Sequence, residues 1–461
     1  MTQNKIKYFV LAVGVMLCIF PVHAQDTIRL TVLQAREYAM GNNTDIRNAV
    51  LELESANRKI WETTAIGLPQ VSAKAAYSNI FKVPEVSFGS FLDPSKLPDG
   101  VALTADDIRN AYVTSPPIAL GVKENTTLDL TVSQLIFNGS YIVGLQAARI
   151  YYQLSDQNLE RTRQDVAETV TDTYTMLLVA RENIKILEET LLNVAKIRDE
   201  TREMYKQGFV EQTDADQLEV TFNNLKINID QVKSAYDIGL RLLKIQLGVK
   251  TGSILVLTDP LEQAIDLAII EKTISQPFVL ENNIHYKLLS TQERLALLDL
   301  RREKSEFLPT ISAFYNHQER TNTPEFDFQP KDMLGVNLSM NLFSSGQRLA
   351  KVKQKKISLE QTRNLKEVQS RNLTLQAEQL SSELSVKRDK YLTSIKNRDL
   401  AGQIYDRSVI KYKEGVGSSL DLTMSQNQYL TALSGYYQAI FEMLSAQTKL
   451  NKVLNNMAVK N

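Results

Sequence analysis

The chain has 461 residues, 53 basic against 53 acidic, and a single cysteine. The length admits two or three domains and a large core. The balanced charge excludes a nucleic-acid binder of the basic-surface kind, and one cysteine excludes a disulfide framework.

Residues 1–24 read as a secretory signal. Lys5 and Lys7 form a basic start, Tyr8 to Phe20 are almost wholly apolar, and Val22-His23-Ala24 offers small residues for cleavage before Gln25. An apolar run of about 13 residues is too short for a bilayer that needs ~20. Cys18 lies inside this signal behind Leu17, which is too large for a lipoprotein site, so no lipid anchor is expected. Removing Lys5 and Lys7 leaves 51 basic against 53 acidic residues. No later segment is apolar for about 18 residues. Export without a helical anchor leaves the periplasm, the exterior, or a β-barrel in the outer membrane.

The remainder is one plan written twice. Asn42-Asn43 recurs as Asn282-Asn283 and Leu68-Pro69 as Leu308-Pro309, both at an offset of 240. Ile136-Phe137 recurs as Leu342-Phe343 at 206, and Tyr205-Lys206-Gln207-Gly208 as Tyr412-Lys413-Glu414-Gly415 at 207. The fall in offset places about 34 extra residues in the first copy, in the Pro-rich stretch 81–121. The expected division is a first repeat over 25–247, a linker or equatorial region over 248–281 and a second repeat over 282–461, with 81–121 an inserted extracellular loop.

Each repeat predicts a helix, two strands and two long helices. Val71, Ala73, Ala75 and Tyr77 alternate with polar residues, as do Leu128, Leu130, Val132, Gln134 and Ile136. The second copy has Ile311, Ala313 and Tyr315, then Leu334, Val336, Leu338, Met340 and Leu342. Period 2 over about 10 residues marks a strand with one apolar face. The alternation alone favours a half-buried soluble strand, since barrel signals are weak per segment, though the length also suits a tilted strand crossing a bilayer.

The helical signal is stronger. Leu145 to Gln207 contains no Gly or Pro, and about 63 helical residues reach roughly 95 Å. Val166, Val170, Leu177, Ala180, Ile184, Leu187, Leu191 and Val194 form a coiled-coil seam within it. Gln347 to Ala401 is a second such stretch. Helices of this length are stable only when their apolar stripes are covered. Four strands cannot close a barrel alone, so either the sheet lies outside a membrane or several chains share one barrel in a cyclic homo-oligomer.

The duplicated Leu-Pro, the hydrophobic-Phe pair and the Tyr-Lys-x-Gly turn with Asp nine residues after its Tyr resemble the TolC-like outer-membrane efflux proteins, outer membrane factors of tripartite export systems, over residues 30 to 457. The resemblance implies an α+β membrane protein. In it, long helical hairpins form a periplasmic helical barrel, and four strands per chain enter a shared twelve-stranded outer-membrane barrel of a homotrimer. It also implies a location in outer-membrane lipid with a periplasmic extension. A periplasmic adaptor (membrane fusion) protein and an inner-membrane pump of RND or ABC type are the implied partners. The chain is then a passive exit duct, with no cofactor and no enzymatic role.

The same resemblance places Tyr412 and Asp421 at positions that line or latch the periplasmic gate, with Tyr205 and Asp214 their first-copy counterparts. The pattern departs where the family has an Arg and a further Asp, here Gly417 and Met424. Asp214 and Asp421 have a second reading as N-caps of the returning helices. The turns Gly208-Phe209-Val210 and Gly415-Val416-Gly417 match the adaptor-docking tips, and the glycines equally suit helix C-caps. His285 and His317 are not at ligand spacing, and Trp61 reads as packing or interface. Lys351, Lys353, Lys355 and Lys356 read as a solvated helix face. No phosphate-binding loop, dinucleotide fingerprint or nucleophile elbow is present. A structural periplasmic coiled-coil protein without channel activity is the competing class.

Overall fold

The computed structural model describes residues 27–250, 252–324 and 327–457. The expected secretory signal over residues 1–24, with Cys18, lies outside the described residues. The chain divides into two compact units, and each draws segments from both sequence repeats.

Among the described residues, the first unit comprises 27–54, Gln153–Gln292 and 363–457. Strand β1 (Thr27–Leu30) pairs in parallel with β4 (Ile254–Leu257), so the stretch between the repeats contributes to the fold as a strand and does more than connect. Helix α1 (Val32–Asn42) starts at a capping box of Thr31 and Gln34. Helix α2 (Thr44–Ala65) follows at once, and a short helix α5 (Leu267–Ile274) follows β4. The long helices are α3 (Gly139–Lys206), α4 (Gln212–Leu247), α7 (Gln347–Lys413) and α8 (Ser419–Val453). Their lengths, 68 and 36 residues in the first copy against 67 and 35 in the second, reproduce the duplication. Helix α7 runs straight through Gly402, where the Gly-free stretch ends.

The core of this unit is the seam read from the sequence: Val166, Val170, Tyr174 and Leu177 of α3 pack with Leu243 of α4 and with Leu433, Ile440 and Met443 of α8. Polar bonds fix the strand pair on α3. The Tyr174 hydroxyl donates to the Leu30 carbonyl at 2.9 Å, and the Arg181 guanidinium donates to the carbonyls of Leu257 and Asp259 at 2.8 and 2.7 Å. Gly248 and Asn455 end α4 and α8 with left-handed φ values of 69° and 61°. Asn substitutes for Gly at the second site because it tolerates that region. Gly248 has no such freedom, since a Cβ there would sit 2.2 Å from the Asn42 carbonyl oxygen.

The second unit comprises Ser55–Tyr152 and Glu293–Thr362. It holds a four-stranded antiparallel sheet of β2 (Gln70–Asn79), β3 (Glu124–Phe137), β5 (Thr310–Arg320) and β6 (Asp332–Ser339), in the order β6-β5-β3-β2. The hairpins of the two copies join through β3 and β5. The register aligns the alternations of all four strands: Val71, Val132, Tyr315 and Leu334 form one row across the sheet. The opposite face is polar. There Asn316 Nδ2 donates to Thr131 Oγ1 at 2.9 Å, and Gln318 Nε2 to Asp129 Oδ1 at 2.6 Å. Exposed residues on the apolar face include Val71, Leu128, Leu334 and Val336. The outer edges of β2 and β6 have no strand partner among the described residues.

Strand β6 is shorter than its alternation predicts. It stops at Ser339, opposite Thr310, the first residue of β5, so Met340 and Leu342 have no ladder to join. The stretch 81–121 is an ordered finger. Glu85–Val86 pairs with Ile118–Ala119, Ser90–Leu92 pairs with Tyr112–Thr114, and a short helix at Ala105–Asn110 starts at a Thr104–Asp107 capping box.

Candidate functional site at the paired helix turns

The two Tyr-Lys-x-Gly segments end α3 and α7 in the same way. Gly208 donates to the Tyr205 carbonyl and Phe209 to the Met204 carbonyl, both at 2.9 Å. Gly415 donates to Tyr412 at 3.1 Å and Val416 to Lys411 at 3.0 Å. These are Schellman motifs, with the glycines at φ 75° and 73°. The motif turns the residue after each glycine outward: Phe209 is 78% and Val416 74% exposed. Val210 is half-buried, as is Gly417.

Helices α4 and α8 then start at Glu211 and Ser418, so neither aspartate is the N-cap itself. Asp214 and Asp421 each stand three residues further on and bond back to the cap. Asp214 accepts from the Glu211 N–H at 3.3 Å. The Asp421 N–H donates to Ser418 Oγ at 3.0 Å, and Ser418 Oγ–H donates to the Asp421 carboxylate at 2.8 Å. Both carboxylates also lie favourably at the positive end of a helix dipole.

Beyond this the copies diverge. Tyr412 is buried with Ile197, Leu218, Tyr405 and Leu422, and its hydroxyl shares a hydrogen bond of 2.9 Å with Thr201 of α3. Burial pushes the Tyr412 phenol above its usual range, and nearby Asp214 adds to that while the Thr201 bond opposes it. Tyr205 is exposed and reaches only Gln212, at 3.5 Å. The aspartates differ too. Ser419 Oγ of α8 donates to the Asp214 carboxylate, a bond between the two copies, whereas Asp421 is exposed and bonds only within its own helix start. Two side-chain hydrogen bonds therefore tie one turn to the other, Thr201–Tyr412 between α3 and α7 and Asp214–Ser419 between α4 and α8, and an ion pair of 3.4 Å adds Lys413 of α7 to Glu200 of α3. Behind them, Tyr405 stacks on Tyr429 with ring centres 5.7 Å apart and planes 3° apart. Burial drives the Tyr405 phenol up to about 12.

Of the residues singled out in the sequence, the structure brings Tyr412 and Asp214 into one cluster and leaves Tyr205 and Asp421 outside it. Thr201, Ser419 and Tyr405 carried no sequence motif. Ser418 did, since Ser-x-x-Asp before an apolar run is a helix-start signature. No group of three or more His, Cys, Asp or Glu suited to a metal occurs among the described residues. His317 bonds Asp332 at 2.7 Å.

Residues 101–249 match the family described as outer membrane efflux protein. Alkaline protease secretion protein AprF of Pseudomonas aeruginosa is 20% identical over 305 residues. That match spans 64% of this chain and 63% of AprF, less than two thirds of either. Among solved structures, CusC, described in conformational changes of folding and transmembrane channel formation, is 15% identical with a TM-score of 0.71, covering 93% of this chain and 92% of its own. The CmeC outer membrane channel of Campylobacter jejuni is 16% identical with a TM-score of 0.69, covering 93% and 86%. At these identities the likeness to the solved structures is one of fold.

Proposed function

We infer that this chain, which is built like the TolC-like outer-membrane efflux proteins and matches their family over residues 101–249, is one third of a trimeric outer-membrane channel. The observation that carries the reading is the four-stranded sheet with an exposed apolar face, a hydrogen-bonded polar face and two unpaired edges. Such a sheet is unstable in lipid unless its edges meet those of another copy. Three copies make a twelve-stranded barrel, apolar outside and polar within. The long hairpins continue it as a periplasmic tube.

On this reading the chain is a conduit, not an enzyme. Substrate comes from an inner-membrane pump through a periplasmic adaptor. The exposed Phe209 and Val416 tips, with Gly208, Val210, Gly415 and Gly417, are the adaptor-docking surface. Tyr412, Asp214, Asp421 and Tyr205 belong to the gate. The two repeats supply one hairpin each, and the finger at 81–121 stands at the extracellular mouth.

Reconstitution tests the reading. Detergent-extracted protein should run as a heat-modifiable trimer and give discrete conductance steps in planar bilayers. A soluble monomeric mature chain without conductance would instead favour a periplasmic coiled-coil protein.

A further inference from the structure

We propose that the helical collar adjoining the sheet of the second unit binds the phosphodiester headgroups of anionic phospholipids. The proposal rests on the reading of that sheet as part of a membrane barrel.

Charge marks the collar out. The helix segments of this unit, Ser55–Ala65 of α2, Gly139–Tyr152 of α3, Glu293–Ser305 of α6 (Ile284–Ser305) and Gln347–Thr362 of α7, carry twelve Arg and Lys. With Glu306 in the turn after α6 they carry six Asp and Glu. The chain as a whole is balanced. Part of the excess is neutralised locally, as where Lys355 reaches Asp299 at 3.1 Å. Arg149, Arg301, Lys304, Lys353 and Lys356 have no carboxylate partner among the described residues. A solvated face needs no such concentration of unpaired cations, whose mutual repulsion an anionic surface relieves.

Geometry adds a seat. A groove of about 440 Å³ between α3 and α6 is lined by Arg149, Arg294 and Arg301 together with Ile150, Leu297 and Leu298. Guanidinium groups take phosphate oxygens in a forked geometry, and the aliphatic residues beside them suit the first carbons of a lipid rather than a free anion. Arg149 stands about 15 Å of helix beyond the start of α3. The headgroup layer adds ~5–8 Å to each side of the hydrocarbon, and an extended Arg stem covers the remainder.

An independent feature locates a bilayer surface here. Trp61, in the last turns of α2, is 64% exposed, and Phe343, just before α7, is 84% exposed. Large aromatics left in the open beside a barrel mark the interface between hydrocarbon and headgroups.

The test offers detergent-solubilised full-length protein phosphatidylglycerol or phosphatidylcholine and counts retained lipid by native mass spectrometry. Native protein should retain phosphatidylglycerol preferentially. The preference should fall about fivefold for each cation removed, in Arg149→Gln/Arg301→Gln and, independently, in the exposed pair Lys353→Gln/Lys356→Gln. Millimolar inorganic phosphate should displace none of the lipid. Equal retention of the two lipids by native protein overturns the proposal without any variant having to fold, and displacement by free phosphate overturns it in favour of a soluble-anion site. Conductance in pure phosphatidylcholine bilayers reports on the channel reading alone, so failure of one is distinguishable from failure of the other.

Discussion

Asn43 and Asn283 do the same two things in the two copies. Each Oδ1 accepts from backbone N–H groups of the helix it starts, at 2.8 Å from Asp45 and 2.9 Å from His285. Each Nδ2 donates to a carbonyl near the end of a long returning helix, Gln246 at 2.7 Å and Val453 at 3.0 Å. One side chain thus caps a helix and anchors the end of another. Asn43→Ala and Asn283→Ala should each cost about 1 kcal/mol from the lost cap, plus about 1 kcal/mol for a carbonyl left unpaired. Asp at either position keeps the cap acceptor but sets a buried carboxylate against that carbonyl oxygen, so it should cost at least as much as Ala. Thermal melts followed by helical circular dichroism check this; an alanine variant melting with the native protein refutes the dual role.

The bonds between the two turns predict gate behaviour. Tyr412→Phe keeps the buried ring and removes the bond to Thr201, and Ser419→Ala removes the bond to Asp214. The double variant should form trimers and conduct at least about twofold more in planar bilayers, since two hydrogen bonds of ~1 kcal/mol each are lost between the turns and only the exposed Lys413–Glu200 pair remains. Native conductance in that variant removes these bonds from the gate.

Asp421 is exposed, and its bonds lie within its own helix start, so its carboxylate remains open to cations. Three such carboxylates near a threefold axis would attract them. Asp421→Ala should therefore weaken block of the reconstituted channel by divalent cations. Unaltered conductance and block would leave Asp421 as a helix-start residue only.

Phe209 and Val416 are held outward by two Schellman motifs of the same form. Deleting Phe209 and Val210 should abolish export while leaving heat-modifiable trimers intact. Full export in the deletion variant excludes that tip from docking.

The contrast between these residues explains what a single sequence discloses. Gly208 and Gly415 are legible because their roles are local, whereas Asn43 and Asn283 show in the sequence only as a repeated pair, since each also anchors a helix end more than 150 residues away. A left-handed turn or a helix cap constrains the residue whatever packs around it. The seam through Val166, Val170 and Leu177 is legible because burial imposes helical spacing. Tyr205 and Tyr412 stand in the same motif, yet one is exposed and one buried, because that depends on how each helix is rotated against its neighbours. The Thr201–Tyr412 and Asp214–Ser419 bonds are invisible for the same reason, joining positions more than 200 residues apart. The early end of β6 depends on where its partner begins, which the alternation of β6 does not encode.

Asp172 makes a prediction with an unusual sign. Its carboxylate, in the middle of α3, accepts from Ser445 Oγ of α8 at 3.1 Å, while its Oδ1 is buried without a partner. Burial raises it to about 6, with neighbouring Glu168 in the same direction and the Ser445 bond and Lys449 opposing. A group whose folded value exceeds its unfolded one near 3.8 binds its proton more tightly in the native state. Its contribution is therefore fully present below the unfolded value and is lost as the pH rises towards 6, the reverse of a salt-bridged carboxylate. Asp172→Asn preserves the size and removes the charge. It should raise the melting temperature at pH 7.5 and leave it nearly unchanged at pH 4, whereas a variant that melts lower than native at both pH values would show that the ionised carboxylate is stabilising after all.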